Sequence, residues 1–466
     1  MWRRSPRSSR WSSTAARTAI ARLLAAVLVA AALDAPALAG PVTFGAASAN
    51  RVVSGHGSFP RLVVLSTTSD VPFRWVVSLP PKRLAAIDAA GTLWIFEITP
   101  AELQVLGRYG EVASAEGPPA VAALGKGRRA VLAVSFEGRL LVWSEGVLRA
   151  FDVGSPLSRL TFPVPVSLEG KSWDDLLAVA ADGALLLIGG LPSVPRVVAR
   201  VDARSLPDAR ITVGSLDGAT PVQAVVLSEG TDRYRHGALG DKVEAGSVTV
   251  IDVAANALSI RFRYVVKPPA VIEDLVPVLA PIGEGTRAAL VMVKSAARQG
   301  SSVLVLGWRE GGLDTLAEGP ALGQSNRWVH VIGAAGVTGD QVPELIVTNA
   351  PHIAGVLVAY ERRVASLVPM AKALGYSSRA LGSRNEDQAV IADLSGHGRL
   401  AVILPRQSRD VLAALELSNG RWEEQWALQL AGPVQSNLLV DDLDGDGLLD
   451  LVVADRRALH LFLSVR

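Results

Sequence analysis

The chain of 466 residues contains no cysteine. This absence excludes a disulfide framework, a thiolate metal site, a cysteine nucleophile and a lipid-modified N-terminal cysteine. After residue 40 the chain also lacks a long amphipathic helical pattern, and it has no apolar run near the roughly 20 residues that cross a bilayer. Because 49% of the residues are hydrophobic, the chain can still bury a large core.

Motifs of common hydrolases are missing as well. No G-x-S-x-G sequence is present, and the acidic residues form no pair whose separation would indicate a glycosidase. We therefore predict no catalytic residue and no organic cofactor. The pattern favours a binding protein over an enzyme.

The N-terminus has the three parts of a secretory signal peptide. Residues 1–22 carry six arginines and no acid, residues 23–33 are apolar, and Ala37-Leu38-Ala39 precedes Gly40. The alternative is a membrane anchor, but the apolar run has only 11 residues. We predict a signal peptide at 1–39, one domain at 40–466, and export to the periplasm or out of the cell, with no transmembrane segment in the mature chain.

Removing the signal peptide reverses the sign of the net charge. The whole chain has 46 basic and 44 acidic side chains, and the signal peptide takes six arginines and one aspartate away. The remaining 40 basic and 43 acidic side chains give a net charge of −3. We therefore predict no nucleic-acid partner.

A short motif recurs along the mature chain. It is clearest at 442–451, DLDGDGLLDL, where an apolar run, a tight turn and a second apolar run follow. Seven segments share its frame, and in each a glycine at the fourth position indicates a backbone site with positive φ. These glycines are Gly125, Gly170, Gly218, Gly283, Gly339, Gly396 and Gly445.

The spacing of the motif predicts an all-β fold. Copies lie 45 to 65 residues apart, enough for about four short strands each, as in a β-propeller with four-stranded antiparallel blades. An eighth, weaker copy precedes residue 84, so eight blades are favoured over seven. The last copy leaves room for only two further strands, and we predict that an N-terminal strand at 61–65 closes the ring and removes the exposed edges.

The last copy predicts a calcium site. Asp442, Asp444, Asp446 and Asp450 occupy positions 1, 3, 5 and 9 of the loop, and Leu448 at position 7 can offer its carbonyl. Calcium takes six to eight oxygen ligands, so several carboxylates on one tight turn suit it. An EF-hand would need glutamate at position 12, where this chain has valine. The alternative is a solvated acidic turn.

The other copies have lost most of these carboxylates. The loop at 336 keeps Asp340 and Glu344 and predicts at most a weak second metal site. The loop at 393 has His397 at position 5, a poor ligand for a hard cation, and is expected to be a simple turn. In the loop at 167, Lys171 could replace the metal with its ammonium group.

At these residues the chain resembles the FG-GAP/VCBS-repeat family, which includes the propellers of integrin α-chains. The pattern D-x-D-G-D-G-x-x-D is complete once, at 442–450, and partial at six other places that together cover nearly all of 60–466. The resemblance implies one structural calcium ion held by Asp442, Asp444, Asp446, Leu448 and Asp450 on one face of the propeller. It implies little about activity.

A polar cluster is predicted on the opposite face. The turn at 228–246 is longer than its counterparts, and polar or aromatic residues also stand in the links between blades. Long polar loops on a rigid scaffold commonly carry binding sites, although each residue taken alone is more often ordinary surface or core. The candidate residues are Arg233, Tyr234, Arg235, His236, Asn326, Arg327, Trp328, His330, His352, Arg384, Asn385 and Glu386.

Three functions remain open from the sequence. The first is a calcium-stabilised scaffold that binds a protein or glycan partner in the envelope or outside the cell. The second is a propeller enzyme that acts on a glycan or phosphoester through histidine and arginine of the polar face. The third is a quinoprotein-like or outer-membrane-assembly propeller, which the missing cysteine anchor and the irregular tryptophan spacing disfavour. The scaffold ranks first.

Overall fold

The structure is a computed structural model that describes residues 48–168, 175–220, 222–283, 287–340 and 342–466. In these residues the chain forms 34 β-strands and no helix, so the predicted all-β class is confirmed. It follows that no helix of the described part could cross a membrane. The predicted signal peptide at 1–39 and the loop residues 169–174, with Lys171, lie outside the described residues.

Most strands fall into groups of four that follow one another along the chain, and each group forms one sheet. Two strands come first, β1 (Val52–His56) and β2 (Leu62–Thr68). Sheet 1 has β3 (Phe73–Ser78), β4 (Arg83–Asp88), β5 (Leu93–Ile98) and β6 (Leu103–Tyr109). Sheet 2 has β7 (Ala120–Ala123), β8 (Arg129–Val134), β9 (Leu140–Ser144) and β10 (Val147–Phe151). Sheet 3 has β11 (Val164–Val166), β12 (Asp175–Val179), β13 (Leu185–Gly189) and β14 (Arg196–Val201).

Sheet 4 has β15 (Thr212–Gly214), β16 (Gln223–Thr231), β17 (Glu244–Ala254) and β18 (Ala257–Val265), and the short β19 (Val271–Ile272) follows it. Sheet 5 has β20 (Val278–Ala280), β21 (Ala289–Ala296), β22 (Gly300–Arg309) and β23 (Gly312–Glu318). Sheet 6 has β24 (Val329–Ala335), β25 (Glu344–Asn349), β26 (Val356–Arg363) and β27 (Ser366–Leu374). Sheet 7 has β28 (Val390–Asp393), β29 (Ala401–Pro405), β30 (Val411–Ser418) and β31 (Arg421–Gln429). The last strands are β32 (Leu439–Asp441), β33 (Asp450–Ala454) and β34 (Ala458–Ser464).

Each sheet is antiparallel, and its strands follow one another in the order of the chain. The last sheet, sheet 8, is the exception, because β2 supplies its fourth strand. β2 pairs antiparallel with β34, from Leu62 opposite Ser464 to Thr68 opposite Ala458. Strands from the beginning and the end of the domain thus share one sheet. β19 and a single parallel bridge connect sheets 4, 5 and 6 into one hydrogen-bonded network.

The core lies between successive sheets. In β33, Leu451 and Val453 pack toward sheet 7, whereas Val452 and Ala454 pack toward sheet 1. Side chains of a strand alternate between its two faces, so a strand buried on both faces reads as a continuous apolar run. Full burial of each such side chain contributes about 1.5–3 kcal/mol. The apolar run after each motif copy is the second strand of a sheet, because that strand is buried on both faces.

The first strands of the sheets line the middle of the domain. Among the described residues, β3 contacts β7, β7 contacts β11, β15 contacts β20, and the series continues through β24, β28 and β32 back to β3. β1 lies beside two of these first strands, β24 and β28. It pairs in parallel with β28, through Val52 and Ile391, and the Asn50 side chain hydrogen-bonds the backbone of Ala334 in β24. The sequence analysis did not predict β1.

The domain has two faces, which we name by the connections they carry. The loop face carries the connections between first and second strands, and the described motif copies lie there. The link face carries the turns between second and third strands and the links from one sheet to the next. Several links are attached to the end of the next sheet's second strand, as in the bridges of Ala113 with Ser135 and Tyr376 with Arg406.

Candidate functional site

The motif glycines adopt the backbone that the sequence predicts at most described positions. Gly125, Gly218, Gly339, Gly396 and Gly445 have φ between 72° and 87°. Gly283 has no positive φ. At that residue a Cβ would stand 2.2 Å from the carbonyl oxygen of Arg287, so close backbone approach is what excludes a side chain. Gly170 lies outside the described residues.

The loop after β32 brings three carboxylates together. Oxygens of Asp442, Asp444 and Asp450 lie within 4.8 Å of one another, the one such group of three in the described residues. Asp442 accepts hydrogen bonds from the N–H groups of Gly445 and Gly447, at 2.9 and 3.0 Å, which hold the loop around its carboxylate. The first and last acids of the motif are thus placed by the loop's own backbone.

Burial and crowding raise the pKa of two acids in this group. Burial, with the carboxylates of Asp444 and Asp446 nearby, raises the pKa of Asp450 to about 7. Burial and the neighbouring carboxylates of Asp446 and Asp442 also raise the pKa of Asp444. Acids that crowd without a cation resist ionisation, and a divalent cation removes that penalty. The donor set therefore fits calcium, which prefers oxygen ligands.

Two predicted ligands lie differently from the other three. The Asp446 carboxylate is not part of the converging group and instead accepts the N–H of Leu448 at 2.8 Å. The backbone oxygen of Asp446 accepts a hydrogen bond from the side chain of Arg466. Leu448 is buried. Calcium ligation by these two residues stays a prediction, and the converging group consists of Asp442, Asp444 and Asp450.

The degenerate loops keep the same frame with fewer charges. The side chain at position 9 accepts the N–H at position 2 in three loops: Asp450 from Leu443 at 3.0 Å, Glu344 from Val337 at 2.9 Å and Gln223 from Leu216 at 2.9 Å. Neutral Gln223 makes the same contact as the two acids. The loop conformation therefore does not require a metal ion, and what distinguishes the loop at 442 is its accumulation of carboxylates.

The predicted second metal site contains a hydroxyl between its acids. Thr338 Oγ1 lies 2.9 Å from a carboxylate oxygen of Asp340 and 2.9 Å from one of Glu344. The N–H of Val342 and the Thr338 hydroxyl lower the pKa of Asp340. Both acids thus have partners already, and metal binding here stays a prediction.

The predicted polar face divides into surface and interior. Arg233, Arg235 and Asn326 are exposed, and Arg327, His236, His352 and Arg384 are partly buried. Tyr234, Trp328, His330, Asn385 and Glu386 are buried. Five of the twelve candidates are therefore interior residues, an alternative that the sequence left open. They fill the interior beneath the link face, where hydrogen bonds and ring contacts satisfy most of their polar atoms.

Trp328 is the centre of the buried part. Its ring stacks on His330 and His352, with centroids 5.6 and 6.0 Å apart, and the guanidinium of Arg379 lies 4.6 Å from its centroid. Arg379 is fully buried and pairs with Glu386 at 3.2 Å. Burial and the nearby arginines lower the pKa of His330 well below its usual range. Burial and Arg379 lower the pKa of His352 to about 3, so both rings are neutral at pH 7.

A second group of acids surrounds His236. Its Nδ1 lies 2.5 Å from Glu273, whose side chain is completely buried. Tyr234 contacts the ring of His236 edge-on and accepts the N–H of Asn326 at 2.9 Å. Burial and the carboxylates of neighbours, first Glu273, raise the pKa of Glu244 to about 10. Glu244 is therefore protonated at neutral pH, which reduces the negative charge buried here.

Arginines pair with several further acids in and around the links. Asp387 pairs with Arg51 at 2.8 Å and with Arg210 at 2.7 Å. Burial acts against ionisation of Asp387, but the two guanidinium groups outweigh it and hold its pKa below the usual value. Arg384 pairs with Asp208, Asp241 and Glu116 at 3.2, 3.0 and 3.6 Å.

The link face also contains a cavity of about 570 Å³. Turns and links of sheets 1, 6, 7 and 8 line it, which places these connections on one side of the domain. Its charged lining residues are Arg74, Glu116, Arg384, Arg409 and Arg456. Asn385 and Gln388 also line it, and each has a side-chain atom without a hydrogen-bond partner, Nδ2 of Asn385 and Oε1 of Gln388.

Sequence reasoning missed most of these partners. Glu273, Arg379 and Asp387 are charged residues in links, where no periodic pattern distinguishes a buried charge from a solvated one. Arg409 and Arg456 each stand in the turn between second and third strands of neighbouring sheets. That shared position is the one sequence signal that could have identified them.

The buried residues do not form an accessible catalytic site. Ser378 Oγ lies 2.6 Å from His330 Nδ1, a spacing that suits a nucleophile and its base. However, Ser378 is 0% exposed and His330 is 2% exposed, so no substrate carbonyl can reach the hydroxyl. The neutral histidine and the serine act together as a buried hydrogen-bonded pair.

Comparisons with known proteins identify the fold. No protein-family model matches the chain, and no curated protein matches it by sequence. Sqt1 from Saccharomyces cerevisiae matches in structure with a TM-score of 0.55 and 9% identity, covering 88% of this chain and 100% of that one. Sqt1 from Chaetomium thermophilum matches with a TM-score of 0.51 and 13% identity, covering 89% and 98%.

Quinohemoprotein alcohol dehydrogenase from Comamonas testosteroni matches with a TM-score of 0.53 and 11% identity, covering 91% of this chain and 81% of that one. These proteins are β-propellers. The chain has a β-propeller fold. At such low identity the similarity concerns the fold alone, and the function has to be argued from the site.

Proposed function

We propose that the protein is an exported β-propeller of the FG-GAP/VCBS type, which binds a protein or glycan partner in the envelope or outside the cell. Calcium would stabilise its loop face, and the link face would bind the partner. The observation that carries the proposal is the cavity on the link face, to which connections of four sheets contribute. Open polar cavities between loops of a rigid scaffold are the usual place of binding sites.

The propeller would have eight blades, corresponding to sheets 1 to 8, and β2 would close the ring. The pairing of β2 with β34 supports this arrangement, since it combines the two ends of the domain in one sheet. Closure would leave neither end of the series of sheets free for association with other chains. The basic head, apolar core and A-x-A sequence of residues 1–39 support export.

Calcium would act as a structural ion in this propeller. Asp442, Asp444 and Asp450 would hold it, and it would neutralise carboxylates that otherwise repel one another. When bound, the ion supplies positive charge and fixes the loop between β32 and β33. Asp450 already accepts the N–H of Ser464 at 2.9 Å, so the loop is connected to the end of β34.

Affinity capture from envelope extract in calcium tests the binding role. The bait is residues 40–466, beside a link-face variant in which Arg235, Arg327 and Arg456 are changed to glutamate. A loop-face variant with Arg128→Glu and Arg129→Glu is the control, since both arginines are exposed and form no ion pair within the described residues. We expect wild type and the control to retain the same macromolecule and the link-face variant to lose it. Equal retention by all three baits, or no specific retention, would contradict the proposal.

A further inference from the structure

Three arginines on the cavity wall have no acidic partner. Arg74 and Arg456 are exposed, and neither forms an ion pair or hydrogen bond through its guanidinium in the part of the chain that the structure describes. Arg409 is partly buried, and its Nη2 donates only to the backbone oxygen of Val434. Its Nη1 is buried and has no partner.

This arrangement differs from that of neighbouring arginines, which are paired with acids. Arg384 lines the same cavity but pairs with three carboxylates, and Arg51 and Arg210 share Asp387. The arginines that fix the links between sheets are thus paired with carboxylates. Arg74, Arg409 and Arg456 have no acidic partner among the described residues, so their positive charge is available to a ligand in the cavity.

Two buried amides also lack partners at the cavity. Asn385 is 6% exposed, and its Oδ1 accepts the N–H of Asp387, which directs the unpartnered Nδ2 as a donor. Gln388 is 2% exposed, and its Nε2 donates to Ser436, which leaves Oε1 as a free acceptor. Both atoms lie beneath the surface of the cavity wall, so they add to its polar character without touching a ligand directly.

We propose that this cavity binds an anionic sugar, either a sugar acid or a sugar phosphate, and this rests on the proposed binding role of the link face. The carboxylate or phosphate group would lie among the three arginines, which form charge-assisted hydrogen bonds with such groups. Sugar hydroxyls both donate and accept, so they suit partly exposed polar side chains of the lining, such as Ser383 and Gln435. A volume of about 570 Å³ suits a ligand of one or a few sugar units rather than a protein domain.

Calorimetric titration of residues 40–466 tests the inference. The probes are glucuronate and glucose 6-phosphate, with glucose, inorganic phosphate and an acidic tetrapeptide as comparisons. The test variant is Arg74→Gln with Arg456→Gln. The matched control is Arg128→Gln with Arg129→Gln, which removes the same charge from exposed, unpaired arginines of the loop face. Melting curves establish that both variants fold.

We expect the two anionic sugars to bind wild type and the control, and the cavity variant to bind them at least about tenfold more weakly. Glucose should bind much more weakly than either. Equal binding of glucose, tighter binding of phosphate or of the peptide than of the sugars, or no binding at about 10 mM would each overturn the inference. If affinity capture retains a partner while no sugar binds, the binding role stands and the sugar inference falls.

Discussion

The two faces of the propeller carry groups of opposite charge. On the loop face, carboxylate oxygens of Asp442, Asp444 and Asp450 lie within 4.8 Å of one another. On the link face, Arg74, Arg409 and Arg456 line one cavity without an acidic partner. Between the faces, in contrast, several buried charges are paired, as in Arg379 with Glu386 and Asp387 with two arginines.

This comparison distinguishes charges that stabilise the fold from charges that we propose bind a ligand. A buried charge without a partner is costly, so a fold neutralises the charges that it needs for itself. Like charges that remain together indicate a counterion from solution. On this basis we propose a cation for the loop face and an anion for the link face, whereas the paired groups of the interior need neither.

The largest expected effect comes from the paired interior. Arg379→Met leaves Glu386 buried without its partner, and we expect a loss of about 3–5 kcal/mol in the free energy of unfolding, measured by urea denaturation. The exposed pair of Arg200 and Asp182 is the control, because Arg200→Met should cost at most about 1 kcal/mol. Adding Glu386→Leu to Arg379→Met should recover part of the loss. Similar small losses in both single variants would contradict the contrast between interior and surface.

Calcium removal is expected to have the next largest effect. Calcium at 100 times its Kd should raise the free energy of unfolding by about 2.7 kcal/mol, and chelation should reverse this. Asp444→Asn should abolish the calcium response, and in chelator the variant should be at least as stable as wild type, because it removes carboxylate repulsion. Asp340→Asn, in the loop at 336, is the matched control and should respond like wild type. Thermal unfolding with calcium and with chelator measures both.

The buried histidines predict a dependence on pH. His352 has a pKa of about 3 in the folded protein, below its unfolded value near 6.5, so the unfolded chain binds the extra proton first. Its contribution to stability is complete above pH 6.5 and is lost as the pH falls toward 3. From pH 7 to pH 5, wild type should lose about 1–2 kcal/mol more than His352→Gln. Urea denaturation at both pH values checks this, and parallel losses would show that His352 is not buried as described.

The smallest effect on stability is expected at the cavity. Arg74→Gln with Arg456→Gln removes two exposed, unpaired charges, so Tm should change by less than about 2 °C while anion binding weakens. A large fall in Tm would mean that these arginines stabilise the fold, as the paired arginines of the interior do.

Much of the fold follows from local patterns in the sequence. The motif at 442–451 and its copies mark the connections between first and second strands, and the apolar runs after them mark strands buried on both faces. The predicted strand at 61–65 overlaps β2, Leu62–Thr68. Such features were predictable because a loop and the strand after it are encoded by neighbouring residues.

The arrangement of charges was not predictable in the same way. Arg51 and Arg210 meet Asp387 from 336 and 177 residues away, and no local period reveals such partners. For the same reason the sequence left open whether Trp328 and His330 belong to the binding face or to the core, and they lie in the interior. The exposed arginines of the cavity come together only when sheets 1, 7 and 8 are adjacent.

A crystal structure of residues 40–466, grown in calcium and soaked with glucuronate, tests the contrast between the faces most directly. The account predicts one calcium ion in contact with Asp442, Asp444 and Asp450, and a glucuronate carboxylate among Arg74, Arg409 and Arg456. An acidic loop without the ion, together with glucuronate bound elsewhere or not at all, would contradict it.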